Sequence, residues 1–151
     1  MMLPITLTIA GAAALLNVWL GLRVSRLRRQ YNVSIGHGGK SALATRSRSH
    51  SNFIEYTPFF LILLGLVEMA RGSELWLWGA AILFILARLL HPFGMDRPER
   101  VWMRTVGVAV TWAVLLGLAA YAIAIPYLER ARAPSLTYAA STGSPETPKP
   151  I

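Results

Sequence analysis

The chain has no cysteine, which excludes disulfides and thiolate metal sites and leaves the redox compartment unmarked. Acidic residues are scarce. Seven Asp and Glu stand against fifteen Lys and Arg, a formal net charge of +8. In a soluble protein that excess would raise nucleic acid as a partner. A third shortage removes the question: the 151 residues offer no polar stretch long enough for a separate soluble domain, because apolar runs occupy most of the length. The basic charge therefore belongs to a membrane surface, and no nucleic acid partner is expected.

What is present is hydrocarbon. The chain is 54% hydrophobic with a mean hydropathy of +0.47, and the apolar residues gather into four runs, Leu3 to Leu22, Phe53 to Met69, Leu75 to Leu90 and Val101 to Leu128. A helical span needs about 20 apolar residues to cross roughly 30 Å of hydrocarbon, and each run comes close. The expected fold is an all-α integral membrane protein, a four-helix transmembrane bundle over residues 1–128. From Glu129 the sequence turns rich in Pro, Ser and Thr and loses its apolar period, so 129–151 reads as a flexible tail. The first run is not read as a cleaved signal peptide, since its basic residues follow the apolar segment and its alanines lie inside it.

The arginines set the topology. Arg23, Arg26, Arg28, Arg29, Lys40, Arg46 and Arg48 follow the first span, and Arg88, Arg97, Arg100 and Arg104 follow the third. The other side carries only Arg71, Arg130, Arg132 and Lys149. By the positive-inside rule both basic connections are cytoplasmic and both termini lie outside. The glycine-rich GHGGKS segment is not a phosphate loop, because that pattern requires glycine where Ser34 stands and a strand where a membrane helix precedes it.

The most informative stretch is RSRSHSNFIEYTPFFLILL, Arg46 to Leu64. Arg48 and Asn52 are four residues apart and Asn52 and Glu55 three, so the three side chains stack on one helical face as an apolar run enters the bilayer. An ionisable residue at that depth marks a functional site by default. Helix two should run from near Ala42 to Ala70, and helix three should stop at Pro92, Gly94 and Pro98. In an up-down bundle Arg26, Asn52, Glu55, Arg88, His91 and Arg104 then meet at one level, with no charge expected in the opposite halves of the spans. Glu55 and Arg88 could form a purely structural ion pair. His91, alone, would more often be a cap or a packed histidine, and His50 points away from the Asn52 and Glu55 face. Ala109, Ala113 and Gly117 form a small-residue ladder suited to close helix approach, within or between protomers.

Several arginines with one carboxylate and one amide suit a small zwitterion carrying surplus negative charge. Glutathione fits, with two carboxylates, an ammonium, two amides and a thiol. A guanidinium within about 4 to 6 Å of that thiol would favour the nucleophilic thiolate.

The pattern R-x-H-x-N-x-x-E-x-x-P in RSHSNFIEYTP, followed by ARLLHPFGM within four spans, resembles the MAPEG family, membrane-associated proteins of eicosanoid and glutathione metabolism. It is most similar to the small bacterial members. The resemblance implies a homotrimer in the bacterial inner membrane, with glutathione as co-substrate bound between adjacent subunits near the cytoplasmic face. It implies glutathione contacts from Arg26, Arg48, Asn52, Glu55, His91 and Arg104. Arg104 would stabilise the thiolate, with Thr105 as a helper. Arg26 and Arg48 would take carboxylates, and Asn52 and Glu55 the peptide and ammonium groups. Ser51, Met95 and Val108 depart from residues found in other members, which argues against eicosanoid synthesis. The expected activity is that of a glutathione S-transferase or glutathione-dependent peroxidase acting on hydrophobic small molecules or lipid hydroperoxides delivered from membrane lipids. The alternative is a non-catalytic scaffold or lipid-binding protein.

Overall fold

A computed structural model describes residues 2–132, and the tail expected from the sequence lies outside them from residue 133 onward. Four long helices and one short 3-10 turn make up the described chain: α1 Pro4–Tyr31, α2 Ser41–Arg71, α3 Leu75–Asp96, the turn Pro98–Arg100, and α4 Val101–Arg132. All four are long and apolar enough to cross a membrane, and there is no strand among the described residues. At 1.5 Å per residue even the 22 residues of α3 span roughly 30 Å. The fold is the expected four-helix membrane bundle.

The helices run up and down. The start of α1 meets the end of α2, the end of α1 meets the end of α3, and the end of α3 meets the start of α4. Both α2 and α3 touch every other helix, whereas α1 and α4 do not meet among the described residues. The bundle is therefore rhombic in section, with α2 and α3 across its short diagonal. There Phe60 and Phe84 stack with ring centroids 3.7 Å apart. Ile5, Leu64, Leu77 and Leu118 close around them, and a second cluster of Ala13, Leu16, Leu20 and Phe53 lies nearer the basic end. Large apolar side chains such as Leu15, Phe59, Ile62, Leu116 and Ile123 face outward, as lipid-facing positions require. The Ala109, Ala113 and Gly117 ladder is also exposed, so it does not serve packing within the protomer.

Three details differ from the sequence expectation. First, α3 passes through Pro92 and Gly94 and ends only at Asp96. Proline removes one backbone donor, and neighbouring helices make that tolerable where no competing water is present. Second, α4 continues to Arg132, so Glu129 to Arg132 belong to the helix and not to a tail. Third, the half of the bundle opposite the basic loops does contain a charge. Glu68 is 1% exposed, and its carboxylate accepts from the Ile5 and Thr6 backbone N–H groups at 3.0 and 2.8 Å. It also accepts from the Thr6 and Ser73 hydroxyls at 2.7 and 2.6 Å. The first turn of α1 has no side-chain cap of its own, so a residue from the end of α2 saturates its free donors.

Replacing Glu68 with alanine leaves two backbone donors and two hydroxyls without that acceptor. A loss of about 3 kcal/mol is expected, with Glu68→Gln intermediate, read as a lowered thermal midpoint in detergent. An unchanged midpoint for Glu68→Ala would show that the carboxylate does not hold the first turn of α1.

Candidate functional site

At the basic end α3 and α4 approach backbone to backbone, and two glycines make this possible. A Cβ on Gly107 would sit 2.9 Å from the Ala87 carbonyl oxygen and 3.1 Å from the His91 Cβ. One on Gly94 would sit 2.9 Å from the Met103 carbonyl carbon and overlap the Arg104 nitrogen. Gly94 thus fixes where the first turns of α4 lie against α3, and with them Arg104.

The seam between these helices and α2 holds Arg88, which is 1% exposed. Its guanidinium donates to Asn52 Oδ1 at 2.8 Å and to the Gly107 carbonyl oxygen at 3.3 Å, and lies 5.7 Å from the Tyr56 ring centre. Its Nε is buried without a partner. The Glu55–Arg88 ion pair considered from the sequence does not form. Glu55 instead accepts from Arg48 at 3.1 Å, two helical turns away on the exposed face of α2. Asp96, at the end of α3, is engaged by Arg23 and, at 3.6 Å, by Arg46. Among the described residues no carboxylate pairs with Arg88 or Arg104.

Beside Arg88 opens a cleft of about 460 Å³, within the range of small-molecule sites. Arg48, Asn52, His91, Arg104 and Thr105 form its polar lining, and Met95, Val108, Ala109 and Trp112 its apolar one. His91 is 5% exposed, and its Nδ1 lies 3.4 Å from the Arg104 carbonyl oxygen. A carbonyl only accepts, so Nδ1 is the donor of that pair and Nε2 is left for another partner. The Thr105 hydroxyl donates to the Val101 carbonyl at 3.2 Å, leaving its lone pairs for another donor.

The structure therefore brings together Arg48, Asn52, His91, Arg104 and Thr105. Glu55 stands one step outside the lining, joined through Arg48. Arg26 lies exposed on α1 and outside the cleft, for α1 does not reach α4 within the protomer. His50, set aside from the sequence, donates from Nε2 to Asn17 Oδ1 at 2.8 Å and belongs to α1–α2 packing. The sequence reading named Met95 and Val108 of the apolar wall but not Trp112, although Arg104, Val108 and Trp112 recur at i, i+4 and i+8 on one face of α4.

Four membrane-spanning helices, with a cleft between α2, α3 and α4 that has a cationic rim and an apolar wall, define a polytopic membrane protein. The chain belongs to the MAPEG family, whose model matches residues 6–124. It is 38% identical over 108 residues to the inner membrane protein YecN of Escherichia coli K12, covering 71% of this chain and 81% of that protein. The same protein from Escherichia coli O6:H1 strain CFT073 matches to the same extent.

Gly94→Ala should lower stability by about 2 kcal/mol through overpacking. Gly79→Ala, where an added methyl meets nothing within 4 Å, should be neutral or slightly stabilising. Equal thermal midpoints for the two variants would contradict the close approach of α3 and α4.

Proposed function

We propose that the cleft binds glutathione, holds its thiol as the thiolate, and presents it to apolar electrophiles or lipid hydroperoxides dissolved in the bilayer. The observation that carries this reading is the surplus of guanidinium over carboxylate. Arg88 and Arg104 have no acidic partner among the described residues, and Arg48 shares its only one with an exposed edge. A buried cation without counter-charge, here Arg88, favours negative charge beside it, and the exposed Arg48 and Arg104 carry theirs at the rim where a ligand can reach them. A tripeptide with two carboxylates and an ionisable thiol supplies that negative charge.

In this reading Arg48 takes a carboxylate, Glu55 the ammonium, and Arg104 the sulfur, with the Thr105 hydroxyl as a second donor to it after rotating away from Val101. With a carbon electrophile the sulfur lone pair forms the S–C bond and the leaving group departs with the electron pair of the broken bond. With a hydroperoxide the sulfur attacks the terminal oxygen, the O–O bond breaks to leave an alkoxide that takes up a proton, and a second glutathione reduces the resulting sulfenic acid, giving glutathione disulfide and water. Met95, Val108, Ala109 and Trp112 give the second substrate an apolar approach from the side. Arg26 enters through assembly: it lies outside the cleft of its own protomer, and a homotrimer with glutathione between adjacent subunits would bring it to a neighbour's. The location proposed is the inner membrane, as for the YecN proteins, with the basic loops and the cleft on the cytoplasmic side.

Ultraviolet difference spectroscopy of the detergent-solubilised protein titrated with glutathione near neutral pH tests the reading. A saturable thiolate band is expected, reduced in Arg104→Ala by up to about tenfold for each pKa unit of stabilisation the guanidinium supplies. No band in the wild type, with no binding heat by calorimetry, would contradict the reading and favour a scaffold or lipid-binding protein.

A further inference from the structure

Residues 32–40, between α1 and α2, are folded rather than slack. Asn32 takes the left-handed conformation that ends α1, and Val33 bonds back through its N–H to the Arg28 carbonyl. Gly38 closes on Val33, whose Cγ2 would lie 2.7 Å from an added Cβ, and the Lys40 ammonium lies 5.7 Å from the Tyr31 ring centre. Arg28 fixes the tip. Its Nη1 donates at 3.1 Å to the carbonyls of Ser34 and of Gly36, the two residues that flank Ile35. Held between those two bonds, Ile35 projects from the protein and is 89% exposed.

The charge around this tip is of one sign, for the first 54 residues contain no Asp or Glu. Arg28 and Arg29 line a hollow of about 270 Å³ with Asn32, Val33 and Ser34, and neither pairs with a carboxylate among the described residues. Only Nη1 of Arg28 is taken up by the loop, which leaves its Nε and Nη2 for an anion. The bilayer surface is the neighbour of this hollow by construction. Arg28 and Arg29 stand six and seven residues beyond Leu22, where the first apolar run ends, about 9 to 10 Å along α1 and at the outer edge of the headgroup layer. Side chains on α1 tilt toward its N-terminus, here back toward the membrane. Arg29 also shares an outer face of α1 with Val18 and Leu22, which are 60% and 47% exposed.

We propose that the α1–α2 connection is a membrane-docking loop, in which Arg28 and Arg29 hold the phosphate of an anionic phospholipid and Ile35 enters the same leaflet beside it. The positive-inside rule requires only a number of cations on one side. It gives no reason for a clamp on both flanks of an isoleucine. A cationic hollow joined to a projecting apolar side chain matches the two layers of a lipid surface, charged headgroup and hydrocarbon. The proposal is independent of the glutathione reading.

The test uses the full-length protein in nanodiscs. Because the chain has no cysteine, Ile35→Cys carries a single environment-sensitive fluorophore. Its emission is read in discs of phosphatidylcholine with rising fractions of phosphatidylglycerol. A blue shift that saturates with phosphatidylglycerol, together with quenching by a lipid-borne quencher, is expected. Arg29→Gln should raise the phosphatidylglycerol fraction at half effect about fivefold, as one interfacial cation is worth about that factor. Arg29 is exposed, so this change leaves the bundle intact. A label that stays in water at every lipid composition would overturn the proposal and point to a soluble acidic partner. A full shift in phosphatidylcholine alone, or an unchanged half-effect fraction in Arg29→Gln, would overturn the headgroup site. So would a shift on adding inorganic phosphate to phosphatidylcholine discs, which would make a soluble anion the occupant.

Discussion

The burial of one guanidinium, Arg88, organises the basic end of this bundle. An ion moved into an apolar interior without partners costs far more than any single packing contact returns, so every element around it has to supply acceptors. The Asn52 side chain comes from α2 and the Gly107 carbonyl from α4, and these two bonds fasten three helices at one level. The glycines at 94 and 107 follow from the same requirement, since only without side chains can α4 bring its backbone within reach of α3. At the opposite end Glu68 plays the complementary part, a carboxylate surrounded by four donors that closes α1 on α2. The two ends are thus held by opposite charges, each satisfied mostly by neutral groups.

That choice of partners has a functional consequence. A salt bridge would have neutralised Arg88 and left an electrically quiet seam. Neutral acceptors meet both of its terminal nitrogens and leave its charge, which adds to that of Arg104 at the rim of the cleft. The neighbouring acids do not compensate, because Asp96 is engaged by Arg23 and Arg46 and Glu55 by Arg48. A cationic rim joined to an apolar wall is the environment that would lower the cost of a thiolate next to a lipid-derived electrophile, and it underlies the proposed glutathione chemistry.

Much of this was legible in the sequence. Four apolar runs specify four spans, and the spacing of Arg48, Asn52 and Glu55 specifies a polar face on α2. What the sequence left open was which member of that face meets Arg88. Residues three apart on a helix differ by about 60° in direction, so Asn52 and Glu55 were both within reach. The docking of α4 through Gly107 decided between them, and no periodicity encodes it. The continuation of α3 through Pro92 was hidden for a similar reason: proline is a local stop signal, and its tolerance depends on neighbours brought there by the fold. The role of Glu68 was invisible because its partners are backbone N–H groups of a helix some sixty residues away. Arg26 shows the converse, a residue singled out by resemblance that its own protomer places on an outer face.

The most direct measurement is an experimental structure of the detergent- or nanodisc-embedded protein at saturating glutathione. Density for the tripeptide beside Arg48 and Asn52, with its sulfur next to Arg104, is the expected result. A bundle that keeps the Arg88–Asn52 bond but carries no glutathione in this cleft, or binds it elsewhere, would contradict the claim that the buried guanidinium organises a glutathione site.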